Sequence, residues 1–242
     1  MIIFLAGDLF GRIKYFYNKV LSIENQLGIK VDWVLQTGNF GIYPDPARAD
    51  LHMRNKGALD FSELYYQKQE VPRKTLFISG SHEDHQWMNL MRSRGALELL
   101  PNLHWLLNGY STAIGNNENT LRVAGMGKVF SNKSYHLDKR TTKKVHSHYL
   151  QREIEQACSG GSCQLLLQHQ AGHGERIGSF VSNSEGLSKI CFATRPELVI
   201  HGSYNVSKDY INKSNVNCVS LAFGEIKVLK YENKQFTKLG TF

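Results

Sequence analysis

Ile2-Ile3-Phe4-Leu5-Ala6-Gly7-Asp8-Leu9-Phe10-Gly11 decides how this chain is read. Five apolar residues run into a glycine and a carboxylate. A run this short, closed by turn residues, predicts a buried strand rather than a helix. The same arrangement returns four times. Residues 31–37 lead into Gly38-Asn39-Phe40-Gly41, and residues 75–79 into Gly80-Ser81-His82-Glu83. Residues 164–168 lead into Gln168-His169-Gln170, and residues 197–201 into His201-Gly202-Ser203-Tyr204-Asn205. Four of the five turns carry glycine, which tolerates tight backbone geometry, and the remaining one, Gln168-His169-Gln170, is polar throughout.

Helical spacing fills the gaps. Ile13, Phe16, Val20, Ile23 and Leu27 recur along 12–27, and Gly28 is placed to cap that helix. Residues 59–69 and 84–94 follow the same pattern, the latter stopped by Gly95. Short strands are expected at 103–107, 111–114 and 121–124, and helices at 144–158 and 186–193. Three strands are expected over 216–239, with turns near Gly224 and Asn233. Strand–helix alternation followed by meandering strands predicts an α/β domain with mixed sheets covered by helices. In open α/β sheets ligands gather at the C-terminal strand ends, so the five turns are the candidate site.

A chain of 242 residues with 41% hydrophobic and 21% charged residues can bury one large core, and a single domain over 1–242 is expected. No apolar run approaches the length a membrane helix needs, so no membrane partner is expected. The first residues read as a strand and not a signal peptide, which favours a cytoplasmic protein. Cys158, Cys163, Cys191 and Cys218 lack a metal spacing and read as small hydrophobes; a Cys158–Cys163 disulfide across Ser-Gly-Gly-Ser is the alternative. The net charge is +8, and Lys128, Lys133, Lys139, Arg140, Lys143 and Lys144 cluster within 128–148 with His136, His146 and His148. That segment reads either as a solvated loop or as a phosphate-backbone contact, with Lys139, Arg140, Lys143 and Lys144 as its cations.

In order and spacing the five turns resemble the motif blocks of the calcineurin-like metallophosphoesterases: Asp-x-His, Gly-Asp, Gly-Asn-His, a lone His, then Gly-His-x-His. Within that family the texture is similar to the RNA lariat debranching enzymes, in 32–40, in Leu76 to Glu83 and in Gly125 to Phe130. The resemblance implies a four-layer α/β/β/α sandwich of two mixed sheets flanked by helices. It also implies two divalent metals at the strand ends and phosphoester hydrolysis. Paired cations about 3.5–4 Å apart would activate a hydroxide and neutralise the transferring phosphoryl group.

Carried over residue by residue, the ligand set is incomplete. Asp8 matches the first carboxylate and His169 the lone histidine. Phe10 stands at the first histidine, Asn39 at the bridging carboxylate, Ser81 at the ligating asparagine, and Ser203 and Asn205 at the last two histidines. His82 matches the residue that in the family contacts phosphate and protonates the leaving group. Two divalent cations bring four positive charges, and one carboxylate with neutral neighbours compensates them poorly. The expectation is therefore no metal, or one weakly bound manganese, iron or zinc on Asp8, Asn39 and His169. His173, Glu175 and Arg176 follow His169 among glycines, and Arg176 is a candidate phosphate contact.

Three functions follow. The leading one is a catalytically weak or inactive binding or scaffold module with a protein partner. The second is an active metal-dependent phosphoesterase, a phosphodiesterase or nuclease with an atypical mononuclear site that uses His82. The third is a nucleic-acid-binding protein that holds RNA through 128–148.

Overall fold

The computed structural model describes residues 1–116, 119–139, 142 and 144–242. One seven-stranded sheet contains β1 (Ile2–Ala6), β2 (Trp33–Gln36), β3 (Thr75–Phe77), β4 (Glu98–Leu100) and β5 (Leu103–Trp105), and is completed by the two long C-terminal strands. A six-stranded sheet contains β6 (Ser111–Gly115), β7 (Thr120–Met126), β8 (Leu165–Gln168), β11 (Leu198–His201), β12 (Lys208–Ile211) and β13 (Asn217–Ser220). A small hairpin, β9 (Arg176–Ile177) with β10 (Phe180–Val181), lies apart from both. Strands β14 (Ile226–Glu232) and β15 (Gln235–Thr241) complete the first sheet, whose order is β15-β14-β1-β2-β3-β5-β4. The second runs β12-β13-β11-β8-β7-β6.

The two-residue period of β1 explains the layering. Ile3 and Leu5 face the second sheet and pack with Val123, Leu165, Leu167 and Ile200. Phe4 and Ala6 face the other way, onto helices α1 (Ile13–Leu27) and α3 (Asp60–Tyr66), with the one-turn helix α2 (Leu51–Lys56) preceding α3. Helix α4 (His85–Ser93) adds Met88 to the same core. On the outer face of the second sheet, after the single turn α5 (Asn132–Tyr135), α6 (Gln151–Ser159) and α7 (Leu187–Thr194) bury Ile154, Ala157, Ile190 and Cys191. The arrangement is the expected four-layer α/β/β/α sandwich.

The central strands β1, β2, β3 and β5 are parallel, as are β7, β8, β11 and β13. The C-terminal ends of β1, β2, β3, β8 and β11 therefore deliver all five turns to one edge of the sandwich. Gly28 closes α1 in the left-handed conformation, φ 63°, and its N–H bonds to Glu24 O.

Three expectations are corrected here. The helix predicted over 144–158 is a 3₁₀ turn (Lys144–Ser147) followed, after a break, by α6. The break arises because Tyr149 N donates to Val129 O, which pulls the chain into an extended bridge beside Val129. Glu153 then caps the helix by accepting from Leu150 N at 2.8 Å. Second, 128–148 is not a uniformly solvated strip. Lys128 is buried 4.0 Å from Glu153, and His136, His146 and His148 bond to Gln151, Asn89 and Ser134. Third, the cysteines are four free thiols, so the alternative disulfide between Cys158 and Cys163 is absent.

Helix α1 is tied to the sheet below it by Glu24, whose carboxylate accepts from Arg73 Nε at 2.9 Å, Arg73 Nη2 at 2.6 Å and Val31 N at 2.7 Å. Burial pushes the Glu24 carboxyl up, and these three donors outweigh it, leaving the group below the ordinary range. A depressed carboxyl stabilises the fold above its unfolded value and loses that contribution as the pH falls through the folded value. Glu24→Gln is expected to cost about 1–3 kcal/mol at pH 7. The gap from wild type should begin to narrow as the pH falls below about 4, where the unfolded carboxyl protonates, and should close only below the lower folded value, so urea denaturation at about pH 3.5 should show a smaller gap than at pH 7.

Candidate metal centre and its surroundings

The five turns are held together by side chains and backbone of the turns themselves. Leu9 N and Phe10 N both donate to Asn39 O, at 3.1 and 2.8 Å, which ties the first turn to the second. Asn39 Oδ1 accepts from Ser81 N at 2.8 Å, His82 N at 3.0 Å and Ser81 Oγ at 3.3 Å, and Asn39 Nδ2 donates to Asp8 Oδ2 at 2.9 Å. The amide at the bridging position thus spans the first and third turns, with both of its ends used. Glu83 adds a second tie, its carboxyl accepting from Phe40 N at 2.8 Å and Gly80 N at 3.0 Å. Burial drives the Glu83 carboxyl up to about 8, against the pull of those two amides and of nearby His82.

Two glycines are required for this closeness. A Cβ on Gly38, at φ 102°, would lie 2.6 Å from His169 Nδ1 and 2.8 Å from Gly80 N. A Cβ on Gly80 would lie 2.3 Å from Asn39 Oδ1. The turn backbones also keep a shape that ordinary side chains disfavour: Phe10, Asn39, Ser203 and Asn205 have φ of 47°, 52°, 72° and 51°.

Asp8 and His169 are buried side by side. Burial raises the Asp8 carboxyl, opposed chiefly by His169 and by the Asn39 hydrogen bond. Burial lowers His169, opposed by Asp8. His169 Nδ1 lies 2.7 Å from Thr37 O, and so must carry its proton, because a carbonyl only accepts. Its Nε2 is therefore a lone pair, buried and without a hydrogen-bond partner. That is the tautomer a metal ligand needs. The other ligand positions differ. Asn205 Oδ1 accepts from Phe223 N at 2.9 Å, and Ser203 N approaches Asp8 Oδ1 at 3.4 Å. Among the described residues, no group of three or more His, Cys, Asp or Glu side chains is placed to hold a metal ion.

His82 lines a cavity of about 820 Å³ together with Tyr43, Asp50, His52, Arg54, Ser81 and Ser147 among others. Its Nδ1 is 2.9 Å from Asp50 Oδ2, which also accepts from Tyr43 Oη at 2.9 Å. Burial disfavours the His82 cation, but Asp50 outweighs burial and its pKa is raised. His52 stacks on His82 with ring centroids 4.6 Å apart, and burial followed by the His82 charge lowers its pKa. Phe10 packs against both, at 4.8 Å from His52 and 5.6 Å from His82.

Sequence reasoning missed Asp50, His52, Tyr43 and Glu83. Asp50 had a legible signal, since Asp-Leu-His-Met carries a capping residue ahead of α2, and Asp50 Oδ1 accepts from Met53 N at 3.0 Å. The remaining candidates are not gathered here. His201 Nε2 pairs with Tyr210 Oη at 2.9 Å, and burial depresses its pKa to about 4. Arg176 is exposed on the β9–β10 hairpin, as is His173 just before it. Lys139 is exposed; Arg140 and Lys143 lie outside the described residues, and Lys144 belongs to the 3₁₀ turn, its side chain not described.

No known family profile matches the sequence. Over 133 residues the chain is 29% identical to a lariat debranching enzyme of Drosophila melanogaster, and over 130 residues 25% identical to one of Caenorhabditis elegans. Those segments cover 54% and 52% of this chain but only 24% and 25% of the relatives, so the chain matches about a quarter of their length. By structure it is similar to a dimetal phosphatase from Danio rerio, with TM-score 0.63, 11% identity and 100% and 96% of the two chains covered. A protein of Thermus thermophilus superposes with TM-score 0.60 at 13% identity, over 98% of this chain and 97% of that one. The NAD nucleotidase of Haemophilus influenzae gives 0.54 at 12% identity, over 100% of this chain and 55% of the nucleotidase. The fold is that of the calcineurin-like metallophosphoesterases.

Asn39→Ala would strip a donor from buried Asp8 and an acceptor from two turn amides. The expected cost is roughly 2–4 kcal/mol in chemical denaturation. Ser81→Ala, which leaves both backbone bonds to Asn39 in place, should cost less than about 1 kcal/mol.

Proposed function

We propose that this chain is a metallophosphoesterase-fold binding module in which a hydrogen-bonded junction has taken the place of a two-metal centre. One divalent cation at most, manganese, iron or zinc, is held weakly on Asp8 and His169. The supporting observation is the Asn39 amide, which links Asp8 to the Ser81–His82 turn at 2.8–3.0 Å through both of its ends. A bridging carboxylate would offer four lone-pair sites and a negative charge between two cations. The amide offers one oxygen, already accepting from two backbone N–H groups, and its nitrogen donates to an oxygen of Asp8. His169 Nε2 fits a single cation, since it is a buried, unpartnered lone pair. It does not make up for Phe10, Ser203 and Asn205, which supply neither charge nor imidazole. The reading carries a cytoplasmic setting and a protein or RNA partner in place of a substrate. No helix among the described residues is long and apolar enough to cross a membrane.

A second reading, surviving phosphoesterase activity, is favoured by His82. An imidazole held by Asp50 at the wall of an 820 Å³ cavity is arranged as a general acid. The proteins named above include lariat debranching enzymes, a dimetal phosphatase and an NAD nucleotidase, which makes this the activity to test.

Metal analysis of protein purified with excess manganese should find less than one equivalent, and bis(p-nitrophenyl) phosphate should not turn over above background. Two equivalents, with turnover abolished in Asp8→Ala, His82→Ala and His169→Ala, would establish the enzyme instead. Asn39→Asp is the converse experiment. It sets a carboxylate against Asp8, and without metal should lower stability by roughly 2–4 kcal/mol through like-charge repulsion. Manganese should restore that stability, while the melting temperature of wild type should rise far less with manganese over chelator.

A further inference from the structure

A second cleft, of about 450 Å³, opens between α1 and the turn that joins β13 to β14. One side of α1 forms a wall of it. Arg12 at the helix cap, then Tyr15, Phe16 and Lys19, recur at three- and four-residue steps and so share a face. Phe223 and Gly224 belong to the opposing turn, and buried Leu9 and Phe16 give the cleft an apolar floor. Tyr15 is 67% exposed and Phe223 41%. Among the described residues no other ring packs on Tyr15.

The turn wall is held in place by its own contacts. Phe223 packs on Phe10 with ring centroids 5.5 Å apart, and Phe223 N donates to Asn205 Oδ1 at 2.9 Å. Gly224 takes the left-handed conformation, φ 64°, and its N–H donates to Asp8 O at 3.0 Å. The charge of the cleft is one-sided. No aspartate or glutamate lines it. Arg12 Nη2 donates to Lys56 O at 2.5 Å, and Lys19 Nζ to Gly224 O at 2.9 Å, so neutral carbonyls hold both cations. The Arg12 guanidinium also lies over the Phe223 ring, 5.0 Å from its centre. Among the described residues neither Arg12 nor Lys19 has a carboxylate within ion-pair distance.

Such a lining selects its ligand from two sides. An apolar floor and two rings gain little from a bare inorganic anion, and two cations without a counter-charge gain little from a neutral hydrocarbon. The volume falls within the range of small-ligand pockets, about 300–1,000 Å³. Aromatic walls favour a flat ring through offset or edge contact. A guanidinium and an ammonium together favour a carboxylate, through charge-assisted hydrogen bonds. We infer that this cleft is a binding site for a small aromatic carboxylate, its ring against Tyr15 and Phe223 and its charge on Arg12 and Lys19. The site does not rest on the proposed function, because this ligand needs neither a metal nor turnover at Asp8 and His169. It also lies apart from the His82 cavity and from the segment 128–148, with which its lining shares no residue.

The test is a ligand-observed NMR titration with 2-naphthoate in the presence of chelator. Binding is expected with a Kd of about 1 mM or tighter. The neutral 2-naphthamide should bind at least about tenfold more weakly, and octanoate more weakly than 2-naphthoate. Tyr15→Ala and Phe223→Ala should each weaken 2-naphthoate by about tenfold, and so should Arg12→Gln and Lys19→Gln. Lys139→Gln, outside the cleft, should leave binding unchanged. Circular-dichroism melting of every variant separates lost binding from lost fold, with Tyr15→Ser as a second change at the most exposed position. The inference is overturned if 2-naphthoate does not bind, if the amide binds as tightly, or if well-folded Tyr15 and Lys19 variants bind like wild type. It is overturned equally if octanoate, AMP or inorganic phosphate binds more tightly than 2-naphthoate. Failure here leaves the metal-content experiment untouched, and two bound metals there would leave this inference standing.

Discussion

A single amide organises this molecule's active edge. Asn39 sits at the end of β2, between the turns that follow β1 and β3, and its side chain and carbonyl make the contacts that hold the three turns in one place. In a two-metal centre that cohesion comes from cations, which pull carboxylates together against their mutual repulsion. Here the neutral side chain of Asn39 donates to the Asp8 carboxylate and accepts from the third turn, so hydrogen bonds tie the turns to one another. The tight glycine contacts at Gly38 and Gly80 and the left-handed backbone at Phe10 and Ser203 are the geometry such closure demands.

The titratable groups of the edge fall in two neighbouring environments that feel each other's charge. Asp8 and His169 stay buried in the junction, and their environments move both toward the neutral form. His82 is turned by Asp50 into the neighbouring cavity and favoured as a cation. Phosphoryl transfer needs the acid and the metal-bound nucleophile on opposite sides of one phosphorus. His82 keeps the environment of an acid, an imidazole held by a carboxylate at a cavity wall.

Much of this was legible in the sequence because the fold rests on periodicity. Alternation in β1, helical spacing from Ile13 to Leu27 and the glycine after it are local signals, and the structure keeps them. The five turns were legible for the same reason, each following a buried strand. What the sequence could not display was reach. Asp50 approaches His82 across 32 positions, and Glu83 grips Phe40 across 43, through loops whose paths depend on packing. Lys128 shows the opposite failure: a lysine in a basic run reads as solvated, yet the strand-end turn at Gly127 carries it inward beside Glu153. The helix predicted from residue 144 failed because Tyr149 found a better partner in Val129 O than in its own preceding turn.

Phe10 stands where the motif that the first turn resembles carries a histidine. A histidine at that position would offer a ring nitrogen to a metal. A phenyl ring on the same strained backbone, φ 47°, can offer only its faces and edges, and it spends them on Phe223, His52 and His82. A phenyl ring cannot ligate a dication, so what Phe10 contributes at this edge is packing, edge and face, against its neighbouring rings.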